Sequence, residues 1–170
     1  MIRALILVFL LMVAGAGELW AAESADADSA EQGWARPENV MMTTAKGARA
    51  AFTVEIAVSE EEIRQGLMGR TSLADDAGML FVFENARERA FWMHNTLISL
   101  DILFVDEDGK IVKIYENARP QDDTPLPSGA PVLGALEIRG GRAAALGIRA
   151  GDTVHHNLFG NVLDVQRQTP

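Results

Sequence analysis

Short apolar runs, separated by Gly, Pro and acidic clusters, set the pattern of the chain from about residue 40 onward. Runs of this length that alternate, or that are rich in β-branched and aromatic residues, are typical of strands. The most apolar of them, Leu100–Val105, is interrupted by a single acid, Asp101. The pattern predicts strands over Val40–Thr43, Ala51–Val58, Met79–Phe83, Ala90–His94, Leu100–Val105, Lys110–Tyr115, Pro131–Ile138 and Thr153–Leu158.

Two short helices are predicted between these strands. Ser59 and Glu62 form a capping-box pattern that starts a helix over Glu60–Leu67. A second, Ala-rich helix covers Gly141–Leu146 and ends at Gly147. The Asp108-Gly109 pair predicts a hairpin turn, and the proline-rich stretch over residues 117–131 predicts a long irregular loop.

The N-terminal pattern differs from the rest of the chain. Arg3 precedes the uninterrupted apolar run Ala4–Val13, and Ala14-Gly15-Ala16 offers small residues for cleavage. This is the pattern of a secretory signal peptide over residues 1–22, with an uncleaved anchor as the alternative. We therefore expect a periplasmic or secreted protein, with a flexible linker over residues 23–39 and a single domain over residues 40–165.

Composition narrows the function classes. The formal net charge is −9 and cysteine is absent. A negative chain is poorly suited to nucleic acid or anionic membranes, and the lack of Cys excludes disulfides, thiolate metal sites and a Cys nucleophile. We expect no cofactor, no metal site, no nucleic-acid partner and no membrane contact after signal cleavage. A monomer that binds a small molecule or peptide is the expected form.

Three dense blocks carry a family resemblance. They are Gly66-Leu67-Met68-Gly69-Arg70, Gly78-Met79-Leu80-Phe81 and Phe91-Trp92-Met93-His94-Asn95-Thr96, followed by Leu100–Phe104 and Leu136-Glu137-Ile138. Over residues 52–154 the chain resembles the DUF192 family, also called UPF0127, of uncharacterised and often exported prokaryotic proteins. The resemblance implies an α+β class: a β-rich single domain with a strongly curled or barrel-like, mostly antiparallel sheet and two short helices. It implies no activity.

Two acids lie in otherwise apolar strands. Asp101 lies within Leu100–Val105, and Glu137 lies within the run that ends at Ile138. A buried carboxylate requires a partner or a raised pKa. One interpretation is a structural ion pair, with Arg70 or Arg139 as the counter-ion. The other is that Asp101 and Glu137 converge on a pocket, as ligand holders or as an acid/base pair.

An aromatic and amide cluster provides the remaining candidates. Strand alternation places Trp92 and His94 on one face, next to Asn95 and Thr96. These residues suit a stacking wall with polar donors, as a sugar or peptide site requires, or a core Trp followed by a simple turn. The candidate ligand-binding residues are Arg70, Trp92, Asn95, Thr96, Asp101 and Glu137.

Three functions remain open at this stage. The first is a periplasmic binding or accessory domain for a small ligand or peptide. The second is a hydrolase or lyase that uses Asp101 and Glu137, which requires their carboxyl groups to lie within roughly 10 Å across one cleft. The third is copper handling by the Met and His residues, because thioether and imidazole are copper ligands; their spacing matches no compact ligand set.

Overall fold

The computed structural model describes residues 37–163, in which two sheets and two short α-helices pack together. The β-rich α+β prediction is confirmed. The strands are β1 (Glu38–Thr43), β2 (Arg49–Ala57), β3 (Ala77–Arg87), β4 (Ala90–Phe91), β5 (Leu100–Val105), β6 (Ile111–Ala118), β7 (Leu126–Pro127), β8 (Val132–Arg139) and β9 (Thr153–His155), and the helices are α1 (Glu60–Gln65) and α2 (Arg142–Leu146). A 3₁₀ turn, Asn157–Phe159, follows β9.

Seven strands form one curled half-barrel in the order β6-β5-β8-β3-β2-β1-β9. The sheet is mixed but mostly antiparallel, since β2 and β3 run parallel and the other paired neighbours run antiparallel. Its two edges approach each other: Lys110 forms a bridge with Thr153, and the Ile111 N–H donates to the Asp152 carbonyl at 2.9 Å. Strands β4 and β7 form a separate two-stranded ribbon.

Each face of the large sheet carries its own core. The first core cluster includes Val54, Leu80, Leu103 and Leu136 and also takes in Ala143 of α2. The second core cluster lies on the other face and comprises Ala57, Leu67, Met79, Phe81, Phe83, Met93, Leu100, Ile102, Phe104, Ala118, Val132 and Ala135. Because both faces of β5 pack against a core, every residue of this strand is buried.

The local signals that start and end elements are confirmed. The Glu62 N–H donates to the Ser59 hydroxyl at 3.2 Å, and the Ser59 N–H donates to the Glu62 carboxylate at 2.8 Å, which completes the capping box. The turn between β5 and β6 has Gly109 at φ +79°. Its Asp106 carboxylate accepts N–H bonds from Asp108 and Lys110.

Several predicted boundaries are wrong, and tertiary pairing explains the differences. Strand β3 runs far beyond Met79–Phe83 because β8 continues to pair with it across a register shift. Ordered pairing also enters the predicted loop, where Leu126 lies opposite Phe91. The predicted strand Ala90–His94 stops at Phe91, and the last predicted strand gives way to the 3₁₀ turn after β9.

Candidate functional site

Asp101 is fully buried and held by the backbone. Its carboxylate accepts N–H bonds from Asn117 at 2.8 Å, Gly141 at 2.9 Å and Ala143 at 2.7 Å. Gly141 is the N-cap of α2 and has no side chain to cap the helix. Asp101 therefore supplies the cap from β5 and ties the start of α2 and the end of β6 to the sheet.

The predicted ion pair between Arg70 and Asp101 is wrong. Arg70 pairs instead with Glu55 of β2, which is partly buried. Arg139 pairs with Asp75 at 2.7 Å, near the surface. The partners of Asp101 are backbone N–H groups. Every residue except proline has such a group, so the residue types in the sequence could not show which of them bind Asp101.

Glu137 lies on the opposite face of the sheet from Asp101. In the β5–β8 pairing, Asp101 lies opposite Ile138, and Ile102 lies opposite Glu137. Directly paired residues of antiparallel strands share a face, and successive residues alternate between faces. The acid/base pair of Asp101 and Glu137 is therefore wrong, because the sheet itself separates the two carboxyl groups.

Glu137 lies at a cavity of about 210 Å³ on the side of the second core cluster. Residues 63–68 line one side of this cavity, and residues 90–92 line another. Phe81 and Thr96 complete the lining with Glu137. Helix α1 ends at Gly66, with φ +48°. An added Cβ there would lie 3.2 Å from the Phe81 ring, so glycine lets the chain pass close to this ring.

The Glu137 carboxyl is nearly enclosed and unpaired. Its residue is 5% exposed, and within residues 37–163 its side chain has no hydrogen-bond partner or ion pair. Its oxygens are not among the atoms that are both sealed from solvent and unpartnered, so they keep contact with the space of the cavity. Burial raises the pKa of Glu137 from 4.5 to about 8, because the charged form loses its hydration. The side chain is thus mostly a neutral acid near pH 7, able to donate or accept a hydrogen bond.

Aromatic rings form much of the cavity wall. Phe91 packs edge-on against Phe81 at 4.9 Å and against Phe104 at 5.5 Å between ring centroids. Trp92 stacks on His94 at 4.9 Å and 27°. Trp92 is half exposed, so the alternative of a core Trp is wrong. His94 is held from behind by Asp123, at 2.8 Å.

Asn95 and Thr96 have different roles. Asn95 has φ +51° and forms a turn, and its carbonyl accepts the Gly69 N–H at 3.0 Å. That bond fastens the segment after α1 to the segment after β4. Thr96 is buried and lines the cavity, where its hydroxyl donates to the His94 carbonyl at 3.2 Å.

The structure therefore brings together three of the six candidate residues. Trp92, Thr96 and Glu137 line the cavity, whereas Arg70, Asn95 and Asp101 do not. The sequence reasoning missed Phe81 and Phe91 as wall residues and Gly66–Met68 as the opposite wall. The signal was present, since these residues belong to the same dense blocks as the candidates.

The copper alternative loses its geometric basis. The buried methionines are divided between the two faces, with Met42 in the first core cluster and Met79 and Met93 in the second. His155 and His156 have both ring nitrogens in hydrogen bonds. Across residues 37–163, no group of three or more His, Asp or Glu side chains could hold a metal ion. No helix in this part of the chain is long and apolar enough to cross a bilayer.

Comparison with known proteins places the fold and the family. The DUF192 family model, described as "Uncharacterized ACR, COG1430", matches residues 41–156. A crystal structure from Sinorhizobium meliloti 1021, named as a candidate transcription regulator, is 40% identical at a TM-score of 0.71; the match covers 72% of this chain and 95% of that one. A protein of unknown function from Novosphingobium aromaticivorans DSM 12444 is 42% identical at a TM-score of 0.68, over 72% and 94% of the two chains. No curated protein matches.

Proposed function

The chain belongs to the DUF192 family, and on that premise we propose that it is an exported binding domain for a small molecule or for a side chain of a peptide. The binding site is the cavity between the end of α1 and β4. The observation that carries the proposal is the Glu137 carboxyl, which is enclosed at this cavity without a protein partner in the described residues.

An unpaired buried acid has a cost that the fold does not need to bear. Burial disfavours the charged form of Glu137 and raises its pKa. A glutamine or an apolar residue at position 137 has no charged form, so it would avoid this cost. Asp101 shows that the same sheet can satisfy a buried carboxylate fully. A polar group left unsatisfied beside an open cavity is typical of a site that is completed by a ligand.

The walls of the cavity suit a ligand with an apolar part. Phe81 and Leu67 are buried, and Trp92 is half exposed. Apolar walls with a few polar groups are the usual composition of small-molecule sites. The volume corresponds to about seven water molecules at ~30 Å³ each, so a small molecule or one side chain fills it.

Export rests on residues 1–22, which lie outside the described residues. We propose cleavage after this segment and a periplasmic or secreted location, because the charged start, the apolar run and the small residues follow the signal-peptide pattern. N-terminal sequencing of the protein recovered from the periplasm tests this. A cytoplasmic protein that retains Met1 would contradict it.

A role in transcription regulation, suggested by the name of one relative, is not favoured for this chain. A net charge of −9 opposes contact with the phosphate backbone. A basic surface stripe would be the expected feature of such a protein.

Blocking the cavity tests the binding function. Ala90 is exposed and lines the cavity, so Ala90→Phe should fill the mouth at little cost in stability. Small-fragment screening by protein NMR should yield ligands that shift the signals of residues 63–68 and 90–92, and Ala90→Phe should abolish these shifts.

The matched control is Ala51→Phe, which adds the same volume at an exposed position of β2 that does not line the cavity. It should leave fragment binding unchanged. If no fragment shifts cavity signals, or if Ala90→Phe leaves binding intact, the cavity is not a ligand site.

A further inference from the structure

We propose that the cavity takes a primary alkylammonium group, whose charged head meets the Glu137 carboxylate while its alkyl chain lies against the aromatic walls. The inference deepens the proposed function and rests on it. It commits to a cation of one chemical class, shared by free aliphatic amines and by lysine side chains.

The first argument is the composition of the site. A single enclosed carboxyl group, Glu137, lies with Phe81, Phe91 and Trp92 around one small cavity. Aromatic faces attract cations through their electron-rich surfaces, and a ring set around an anchor for positive charge is the arrangement used to recognise ammonium ligands. A carboxylate completes that arrangement because it supplies a charge-assisted hydrogen bond.

The second argument is the charge around the opening. Helix α1, which lines one side, begins with Glu60, Glu61 and Glu62. On the other side Asp123 lies behind His94. Arg64 is exposed in the lining, so it can remain in solvent. The lining itself contains one acid, Glu137, and one base, Arg64. The net charge of −9 of the whole chain supplies a field that favours the approach of cations.

The third argument is that no cation of the described residues pairs with Glu137. Arg64 lines the cavity but forms no ion pair with Glu137, and Arg70 is bound to Glu55. Glu55 lies opposite Met79, and Met79 lies opposite Glu137, so two strand spacings of roughly 5 Å each separate the acids. The flanking β5 residue Ile102 is apolar.

Binding of the ammonium ion is coupled to release of the proton of the Glu137 carboxyl group. Burial keeps the empty site protonated near pH 7, since the pKa of Glu137 is about 8. An incoming R–NH₃⁺ favours the carboxylate, so the complex is R–NH₃⁺ with Glu137–COO⁻, and the carboxyl proton passes to the solvent. Charge and atoms balance, because one proton leaves for each cation bound at a protonated site.

The probes are n-butylamine, which is an ammonium ion near pH 7, and n-butanol, its neutral counterpart of similar size. Binding is followed by NMR and by calorimetry in buffers of different ionisation enthalpy. We expect butylammonium to bind about tenfold or more tightly than butanol, with release of a large fraction of one proton. Glu137→Gln should remove the tenfold preference and the proton release, and leave butanol binding unchanged.

Two further variants separate local from general effects. Trp92→Ala should weaken butylammonium binding about two- to fivefold, because one cation–π contact is lost. Glu61→Gln removes an equal charge from an exposed position of α1 and should change binding by less than about twofold, since exposed charges are screened. A blocked Gly-Lys-Gly tripeptide that binds more tightly than butylamine would indicate a peptide source, and weaker binding would indicate a free amine.

Failure of this inference differs from failure of the proposed function. If butanol binds as well as butylammonium, or no proton is released, the ammonium assignment is overturned while the cavity remains a ligand site. If neither probe nor any screened fragment shifts cavity signals, both proposals are overturned.

Discussion

Two buried acids on opposite faces of one sheet have opposite environments. Asp101 accepts three backbone N–H bonds from three separate segments of the chain. Glu137 lies one strand away, at a cavity, and its side chain has no partner within residues 37–163. Both are acids in apolar strands, so composition and hydropathy describe them alike. The difference lies in what the fold brings to each carboxyl group, which is a structural anchor in one case and an open site in the other.

The comparison also separates stability from function. A satisfied buried carboxylate contributes to stability through the groups it orders. An unsatisfied one costs free energy in the absence of a ligand. If Asp101 and Glu137 have these two roles, their removal should change the free energy of unfolding in opposite directions near neutral pH.

Asp101→Ala should produce the largest effect. It leaves the N–H groups of Asn117, Gly141 and Ala143 without an acceptor in a buried region, and α2 loses its cap. We expect a loss of about 3–5 kcal/mol in the free energy of unfolding, measured by urea denaturation. The control is Asp76→Ala, an exposed acid, which should change stability by less than about 0.5 kcal/mol. Equal losses in both variants would contradict an anchoring role for Asp101.

Glu137→Gln should instead make the unliganded protein more stable than wild type, by an amount that increases as the pH rises. Below pH 4.5 the residue is protonated in both the folded and unfolded states. Between pH 4.5 and about 8, Glu137 is ionised only in the unfolded chain. Unfolding therefore releases a proton, and the free energy of unfolding falls with increasing pH. The loss approaches about 1.4 kcal/mol per pH unit and totals roughly 4 kcal/mol by pH 8.

The measurement is the difference in unfolding free energy between wild type and Glu137→Gln from pH 4 to 9, in which contributions of other titrating groups cancel. The difference should grow between pH 5 and 8 and then level off. A difference that does not depend on pH would mean that the Glu137 carboxyl is ionised and satisfied in the folded protein, and its status as an open site would fail.

The sequence predicted the elements better than the sides on which residues lie. The capping box of α1, the Asp-Gly hairpin and the strand character of β5 all depend on neighbours in the chain, and all were confirmed. The relation of Asp101 to Glu137 depends on the register between β5 and β8, which are far apart in sequence. A shift of one residue would place the two acids on the same face, so the pattern of either strand alone could not decide it.

The aromatic wall illustrates a second limit. Alternation along an extended strand places Phe91 and Trp92 on opposite faces. The extended segment ends at Phe91, and both residues line the same cavity. The partner of Arg70 was also missed, because Glu55 lies on β2, before α1, and only the tertiary fold brings it to Arg70.

The smallest effect concerns the two helix caps. Helix α1 is capped by its own Ser59, near the surface, whereas α2 is capped from another strand by Asp101. Ser59→Ala should therefore cost only about 1 kcal/mol and should accelerate hydrogen exchange at the start of α1 alone. Ser72→Ala, at an exposed position, is the matched control and should be neutral.

The stability that Glu62 gives to α1 should depend on pH in the acid range, and this dependence tests the local cap separately. N–H bonds from Ser59 and Val58 hold the pKa of Glu62 below 4.5, so the stabilisation they give is present above that pH and is lost as the pH falls through the lowered pKa. Ser59→Ala retains both N–H groups and should retain this acid dependence, whereas Glu62→Gln should abolish it. If Ser59→Ala instead destabilised the whole domain as strongly as Asp101→Ala, the distinction between a local and a long-range cap would be wrong.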